Sequence, residues 1–129
     1  MPTFNPLLDL PALRSRLARH EGLLVVCYCA EWCDTCREYR PGFDALAGQF
    51  PGHTFIWVDI EENPELLGDD DVENFPTLLV QSAGANLFYG PMLPYPGHLE
   101  KLLTRLGEDS PAVAGGPPLL RPLLEEIQE

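Results

Sequence analysis

The sequence predicts an α/β fold built on a mixed central sheet, and three features carry that prediction. Two short apolar runs rich in strand formers, at 23–30 and 54–60, are each followed by a segment with helical spacing. A third run, at 77–81, leads through a turn near Ala83-Gly84 to Leu87-Phe88-Tyr89, which reads as its antiparallel neighbour. Strand, helix, strand, helix, hairpin, helix is the alternation of an α/β layer arrangement.

Taken in order, Leu7, Leu8, Leu10, Leu13, Leu17 and Ala18 recur at roughly helical spacing. Asp9 is placed to cap, Pro11 lies just inside and Gly22 follows the end, which predicts a helix over 10–20. The run 23–30 is continuous rather than alternating, as expected of a central strand covered on both faces. Tyr39, Phe43, Leu46, Ala47 and Phe50 then step by three and four, so 33–50 reads as a helix that Pro41 kinks rather than stops. Pro51-Gly52 ends it, and 54–60 is a second buried strand. The Asn63-Pro64 step starts a short helix that fades into a solvated acidic loop, Gly68-Asp69-Asp70-Asp71.

Gly90 and Pro91 are expected to end the hairpin, and Leu99, Leu102, Leu103 and Leu106 mark a helix from about Pro96-Gly97 to Gly107. These elements make one domain over 1–107. Residues 108–118, with Ser110-Pro111 and Gly115-Gly116-Pro117-Pro118, have linker composition. Beyond them Leu119, Leu120, Leu123, Leu124 and Ile127 form an apolar stripe opposite Glu125, Glu126 and Glu129. A short amphipathic helix with Pro122 in its first turn is expected there, as a docked tail or a partner helix.

Composition bounds the partners. At 129 residues the chain is long enough to bury a core without staples, and its net charge of −12, from 20 acidic against 8 basic side chains, argues against nucleic acid or an anionic membrane. The longest apolar run is too short to span a bilayer and the first residues carry no basic n-region, so cytoplasmic residence is the expectation.

All four cysteines fall between Cys27 and Cys36, which makes them a site rather than a disulfide scaffold. In Ala30-Glu31-Trp32-Cys33-Asp34-Thr35-Cys36-Arg37 two thiols stand two residues apart at the start of a helix. If Cys33 is at the helix N-terminus and Cys36 one turn in, both sulfurs face one side, close enough to bridge. Exposed helix amides there favour a thiolate, the attacking species. A Cys-X-X-Cys pair after a strand reads as a redox pair; a zinc site usually needs a second ligand pair, and none is present, so no metal is expected. A metal site and a retired structural pair are the competing readings.

Cys27 and Cys29 lie on one strand face by period 2, too far apart for an easy mutual disulfide, and read as buried small apolar residues. The other readings are an auxiliary thiol contacting Cys33 or Cys36, and a metal ligand. His20, His53 and His98 are scattered and read as surface groups rather than acid-base catalysts. Trp32, beside Cys33, is expected to shield it and contact substrate.

Over about 7–106 the sequence resembles the thioredoxin family. Ala30-Glu31-Trp32-Cys33 with Cys36 matches the family's active-site segment, Pro41 its helix-kinking proline and Phe75-Pro76-Thr77 its cis-proline loop. The resemblance implies the thioredoxin fold, with a central mixed sheet flanked by helices. It also implies a thiol-disulfide oxidoreductase that reduces protein disulfides in cell redox homeostasis, with no bound cofactor and an electron donor such as a thioredoxin-reductase-like enzyme. Carried over by position, Cys33 would be the nucleophile and Cys36 the resolving thiol, with Trp32, Asp34, Thr35, Phe75 and Pro76 meeting the substrate. Pro76 would lie against the disulfide and Phe75 would offer its backbone to an extended chain; a cis bond is accessible there because X-Pro lowers its cost.

Three departures matter. Asp34-Thr35 replaces the glycine and proline common between the family's cysteines, and a carboxylate beside Cys33 opposes its thiolate. Cys27 and Trp57 occupy the positions of the family's buried acid and neighbouring lysine, which implies slower proton removal from Cys36 during resolution. Cys29 replaces a tryptophan. Asp34-Thr35, Cys27 and Trp57 favour a rival reading, a thioredoxin-fold binding or assembly module, or chaperone partner, with little turnover; a second alternative is metal capture by Cys29, Cys33 and Cys36.

Overall fold

The structure is a computed structural model that describes residues 3–6, 9–18, 22–30, 32–67, 76–107 and 109–126. Five strands, β1 (Thr3–Phe4), β2 (Leu24–Cys29), β3 (Thr54–Asp59), β4 (Thr77–Gln81) and β5 (Asn86–Pro91), form one sheet in the order β1-β3-β2-β4-β5. Helices α1 (Leu10–Leu17), α2 (Asp34–Gln49), α3 (Pro96–Arg105) and α4 (Leu120–Glu126) cover it. β2 runs parallel to β3, as a crossover through α2 requires, and antiparallel to β4. β1 adds a parallel pair outside β3, an element of two residues with no periodicity for a sequence to show.

Every residue of β2 is buried, because the strand is central and both faces are roofed. Leu23, Val25, Cys27 and Cys29 pack under Tyr39, Phe43, Leu46 and Ala47 of α2 and Leu99 and Leu103 of α3. The alternate residues Leu24, Val26 and Tyr28 pack against Leu10, Leu13 and Leu17 of α1 and Leu120 and Leu124 of α4. All the chain's cysteines therefore belong to the α2 side. Tyr28, on the other side, donates its hydroxyl to the Leu66 carbonyl at 2.7 Å.

The boundaries differ from the expected ones in ways local chemistry explains. α1 ends at Leu17, with residues 19–21 outside the described set. Asp9 occupies the capping position, but its carboxylate accepts the Asn5 N–H at 3.0 Å instead of an α1 amide. α2 begins at Asp34 with Cys33 as its cap residue and continues through Pro41. The short helix after Asn63 is a single 3-10 turn, Pro64–Leu66, and the acidic triplet 69–71 lies outside the described residues. β5 does not stop before Gly90 and Pro91, which pair with Leu78 and Thr77; an edge strand tolerates a missing N–H.

His53 is also corrected, since it is a half-buried structural group. Its Nδ1 accepts the Leu23 N–H at 3.1 Å and its ring stacks on Phe50. Gly22 makes that approach possible: at φ +67° it tolerates a conformation unfavourable to side chains, and a Cβ there would run into the Gly52 carbonyl.

The segment 109–118 contains no helix or strand, as its composition predicts, but it is tied down along the β5 edge. Val113 N–H donates to Asn86 O at 2.8 Å, and Asn86 Nδ2 donates to the carbonyls of Gly115 and Pro117. Beyond it Leu120 and Leu124 are fully buried, so α4 is a docked part of the α1 layer.

Candidate redox site

The site forms where β2 ends and α2 begins. The Cys33 N–H donates to the Ala30 C=O at 3.0 Å, and Cys33 then serves as the extended cap residue of α2. Among the described residues no side chain caps the helix, which leaves its first-turn amides available to an anionic sulfur. Cys33 is half-buried and free, and it is the one cysteine of the four with solvent access.

Cys36 is the buried member of the pair. One turn into α2, it is 1% exposed and its sulfur faces the sheet. The bridge in this structure joins Cys36 to Cys29, with the two Cα atoms 5.9 Å apart, inside the range a disulfide spans without moving backbone. The sequence reading expected Cys36 to pair with Cys33 and Cys29 to be core filling. Cys29 is instead a bonded partner, because the odd-numbered face of β2 presents its last residue directly beneath the first turn of α2. Spacing along the sequence singles out Cys-X-X-Cys; only the stacking of helix on strand brings position 29 to the same sulfur.

Cys27 extends the cluster. Its Sγ lies 3.6 Å from that of Cys29, closer than the strand spacing alone suggests, and the two are unbonded. With Cys29 held in the bridge, only Cys27 carries a hydrogen, so Cys27 donates to Cys29. Burial pushes the Cys27 thiol well up, with the Arg40 charge pulling weakly the other way. Tyr39, buried beside it, has its phenol raised by burial and by Cys27, and among the described residues its hydroxyl has no hydrogen-bond partner.

A family model described as Thioredoxin matches residues 9–90. The chain belongs to the thioredoxin family. Thioredoxins are thiol-disulfide oxidoreductases, and the sulfur-bearing helix terminus is the feature that chemistry requires. The chain is 31% identical to thioredoxin of Chlamydia trachomatis over 65% of its own length and 82% of that protein. It is 38% identical to a thioredoxin H-type of Oryza sativa subsp. indica over 53% of its length and 57% of that protein. The chain spans about half the length of the plant thioredoxins it matches. Thioredoxin of Fasciola hepatica superposes with a TM-score of 0.62 at 28% identity, covering 74% of this chain and 91% of that structure.

The other thioredoxin-like positions surround the cap. Trp32 is 63% exposed beside Cys33, its indole N–H donating to Glu61 at 2.6 Å. Asp34 is exposed in the first turn and pairs with Arg37, which offsets the charge it brings next to Cys33. Thr35 is half-buried. Pro76 is buried before β4 and its carbonyl accepts the Met92 N–H at 3.1 Å, joining the 76 turn to the end of β5 and the exposed Leu93; Phe75 lies outside the described residues. Among the described residues no group of three or more His, Cys, Asp or Glu is arranged to hold a metal ion, and no helix is long and apolar enough to cross a membrane.

Where the resemblance expected a buried acid and a lysine, β2 and β3 present the register pair Cys27 and Trp57. The nearby positive charge comes from α2: Arg40 lies over the Trp57 ring. Composition gave no sign of that substitution, because Arg40 reads as an ordinary surface residue of a helix.

Proposed function

We propose that the chain reduces protein disulfides in the cytoplasm, with Cys33 as nucleophile and Cys36 as resolving thiol, within cell redox homeostasis. The observation that carries the reading is the position of Cys33, a free and accessible thiol at an uncapped helix N-terminus. In the reaction the Cys33 thiolate attacks one sulfur of a substrate disulfide, the substrate S–S bond breaks and one substrate thiol leaves with a proton. Cys36 then attacks the Cys33 sulfur of the mixed disulfide, releasing the second substrate thiol and forming a Cys33–Cys36 bond. Two electrons have passed to the substrate, and a donor such as a thioredoxin-reductase-like enzyme restores the dithiol. Trp32, Asp34, Thr35, Phe75 and Pro76 would line the path of the substrate backbone.

Reduction of insulin disulfides with dithiothreitol as donor tests it. Cys33→Ser should abolish turnover, whereas Cys36→Ser should accumulate a mixed disulfide through Cys33. Equal turnover of Cys33→Ser and the parent would sink the reading. One observation favours a second reading, a binding or assembly module with little turnover: Cys36 is engaged with Cys29, and no resolving thiol stands free in that state. A parent protein that forms the mixed disulfide but does not release its substrate would establish that alternative.

A further inference from the structure

A two-thiol cycle leaves two cysteines unused, yet all four belong to one cluster on the α2 side of the sheet. Cys33 packs half-buried against the cluster at the start of α2, Cys36 is buried one turn in, Cys29 is bonded to Cys36, and Cys27 contacts Cys29 at 3.6 Å. We propose that Cys29 is a third redox thiol, which withdraws Cys36 from the Cys33/Cys36 cycle into a buried bridge and leaves Cys33 as a half-buried, solvent-accessible monothiol. The proposal rests on the reading of Cys33 and Cys36 given above.

The exchange balances without an outside oxidant or reductant. In the oxidised protein the Cys29 sulfur attacks Cys36 Sγ, the Cys33–Cys36 bond breaks and the Cys29–Cys36 bond forms. The proton lost by Cys29 is regained by Cys33, and the number of disulfides is unchanged. The reverse attack, by Cys33 on Cys36, expels Cys29 as a thiolate. Cys27 is placed to hydrogen-bond that leaving sulfur through its S–H, keeping its own proton, and the proton lost by Cys33 ends on Cys29.

Two geometric facts set this apart from accidental proximity. Cys29 and Cys36 are each 1% exposed, so an external thiol cannot reach the bridge as it reaches a sulfur at the rim. Cys33 keeps its solvent access while the bridge is in place, so the parked form can still capture a partner sulfur but lacks a free Cys36 to release it. One fold thus holds a turnover state and a capture state with the same number of electrons.

The test reads the linkage directly. The whole protein is oxidised with one equivalent of diamide while folded, its free thiols are then blocked with N-ethylmaleimide in weak acid and denaturant, which opens the buried Cys27, and it is cleaved after Glu31 and before Asp34. Those cuts separate Cys27 and Cys29 from Cys33 and from Cys36. A fragment joining the 27/29 segment to Cys36, with Cys33 blocked, is the expected product, and its persistence in Cys27→Ala assigns it to Cys29. Cys33→Ser, which keeps three of the 4 cysteines, should form the same bridge and take up one maleimide rather than three. Exclusive linkage of Cys33 to Cys36 in the parent would overturn the proposal, as would uptake of three maleimides by an oxidised, folded Cys33→Ser. Loss of insulin reduction in a parent that still shows the Cys29–Cys36 fragment would instead count against the catalytic reading alone.

Discussion

The Arg40 guanidinium carbon lies 4.9 Å from the centroid of the Trp57 ring, over the β3 residue in register with Cys27, while its Nε bonds Asp44 at 3.0 Å. A cation over an indole contributes roughly 0.5 to 2 kcal/mol depending on desolvation, and a half-exposed helical ion pair about 0.3 to 0.5 kcal/mol. Arg40→Ala should therefore lower stability by about 1 kcal/mol and shift Trp57 emission to longer wavelength. Arg40→Lys should retain part of it, keeping the charge but losing the planar stack. Urea unfolding with fluorescence detection checks both; unchanged midpoints would mean the stack contributes nothing.

Cys27 and Tyr39 impose an alkaline limit. Burial raises both groups in the fold, whereas in the unfolded chain the thiol releases its proton from roughly pH 8.5 and the phenol from about pH 10. Above those values only the unfolded state ionises, so stability is fully present below them and falls as pH rises. Urea midpoints should decline above about pH 8.5 and more steeply beyond about pH 10, and Tyr39→Phe should remove the steeper part. At pH 7 Tyr39→Phe should be at least as stable as the parent, since it deletes a buried hydroxyl that has no partner among the described residues.

Gln81 fastens the tail to the sheet. Its buried amide donates to Pro118 O at 2.9 Å and to Asn86 at 2.7 Å, and accepts the Leu120 N–H at 3.0 Å. Gln81→Leu would leave the buried Leu120 N–H without its partner, a loss costing about 1 to 3 kcal/mol, and would release the Pro118 C=O on the exposed side of the tail. Leu124→Ala would open a hole against α1 at about 2 to 5 kcal/mol. Both should lower the urea midpoint of the whole domain in a single transition. A separate early transition would show that α4 melts independently.

Legibility in the sequence followed the range of the interaction. Continuous apolar runs revealed β2, β3 and β4 because a central strand has no polar face, and leucine spacing revealed α3 and α4. β1 was invisible, since two residues carry no period and are held only by pairing with β3. At the site the same division holds. Cys33 and Cys36 stand out because their chemistry is local to one helical turn. Cys29, Arg40 and the Pro76–Met92 link depend on how α2 lies over β2 and how β5 returns beside β4, and no spacing encodes that.

Gly42 and Gly48 lie in one helix but in different surroundings. A Cβ at Gly42 would strike the Pro96 ring at the start of α3, whereas at Gly48 it would meet open space. Replacing a helical glycine by alanine gains up to about 1 kcal/mol, but forcing a methyl group into a packed contact costs roughly 1 to 3 kcal/mol. Gly48→Ala should therefore stabilise the protein and Gly42→Ala should destabilise it. Equal gains in thermal melts would mean that α3 shifts freely away from α2.

Cys27→Asp would return a carboxylate to the position under the site where the thioredoxin resemblance expects one. The side chain at 27 is fully buried, in register with Trp57 on one strand and Leu78 on the other, and the positive charge that reaches it is Arg40 beyond the indole. Burial without a close opposite charge raises a carboxyl above its unfolded value of about 3.9. A raised folded value means that the variant lies nearest the parent in acid and loses ground as pH rises, at about 1.4 kcal/mol per unit until the folded group ionises. Urea unfolding at pH 4.5, 6 and 7.5, chosen relative to that value of about 3.9, should show the gap widening. A gap independent of pH would mean that the carboxylate is charged in the fold and that Arg40 swings inward to pair with it. In that case Cys27→Asp should also speed resolution of the mixed disulfide by Cys36, because an ionised acid beneath the bridge can accept the thiol proton.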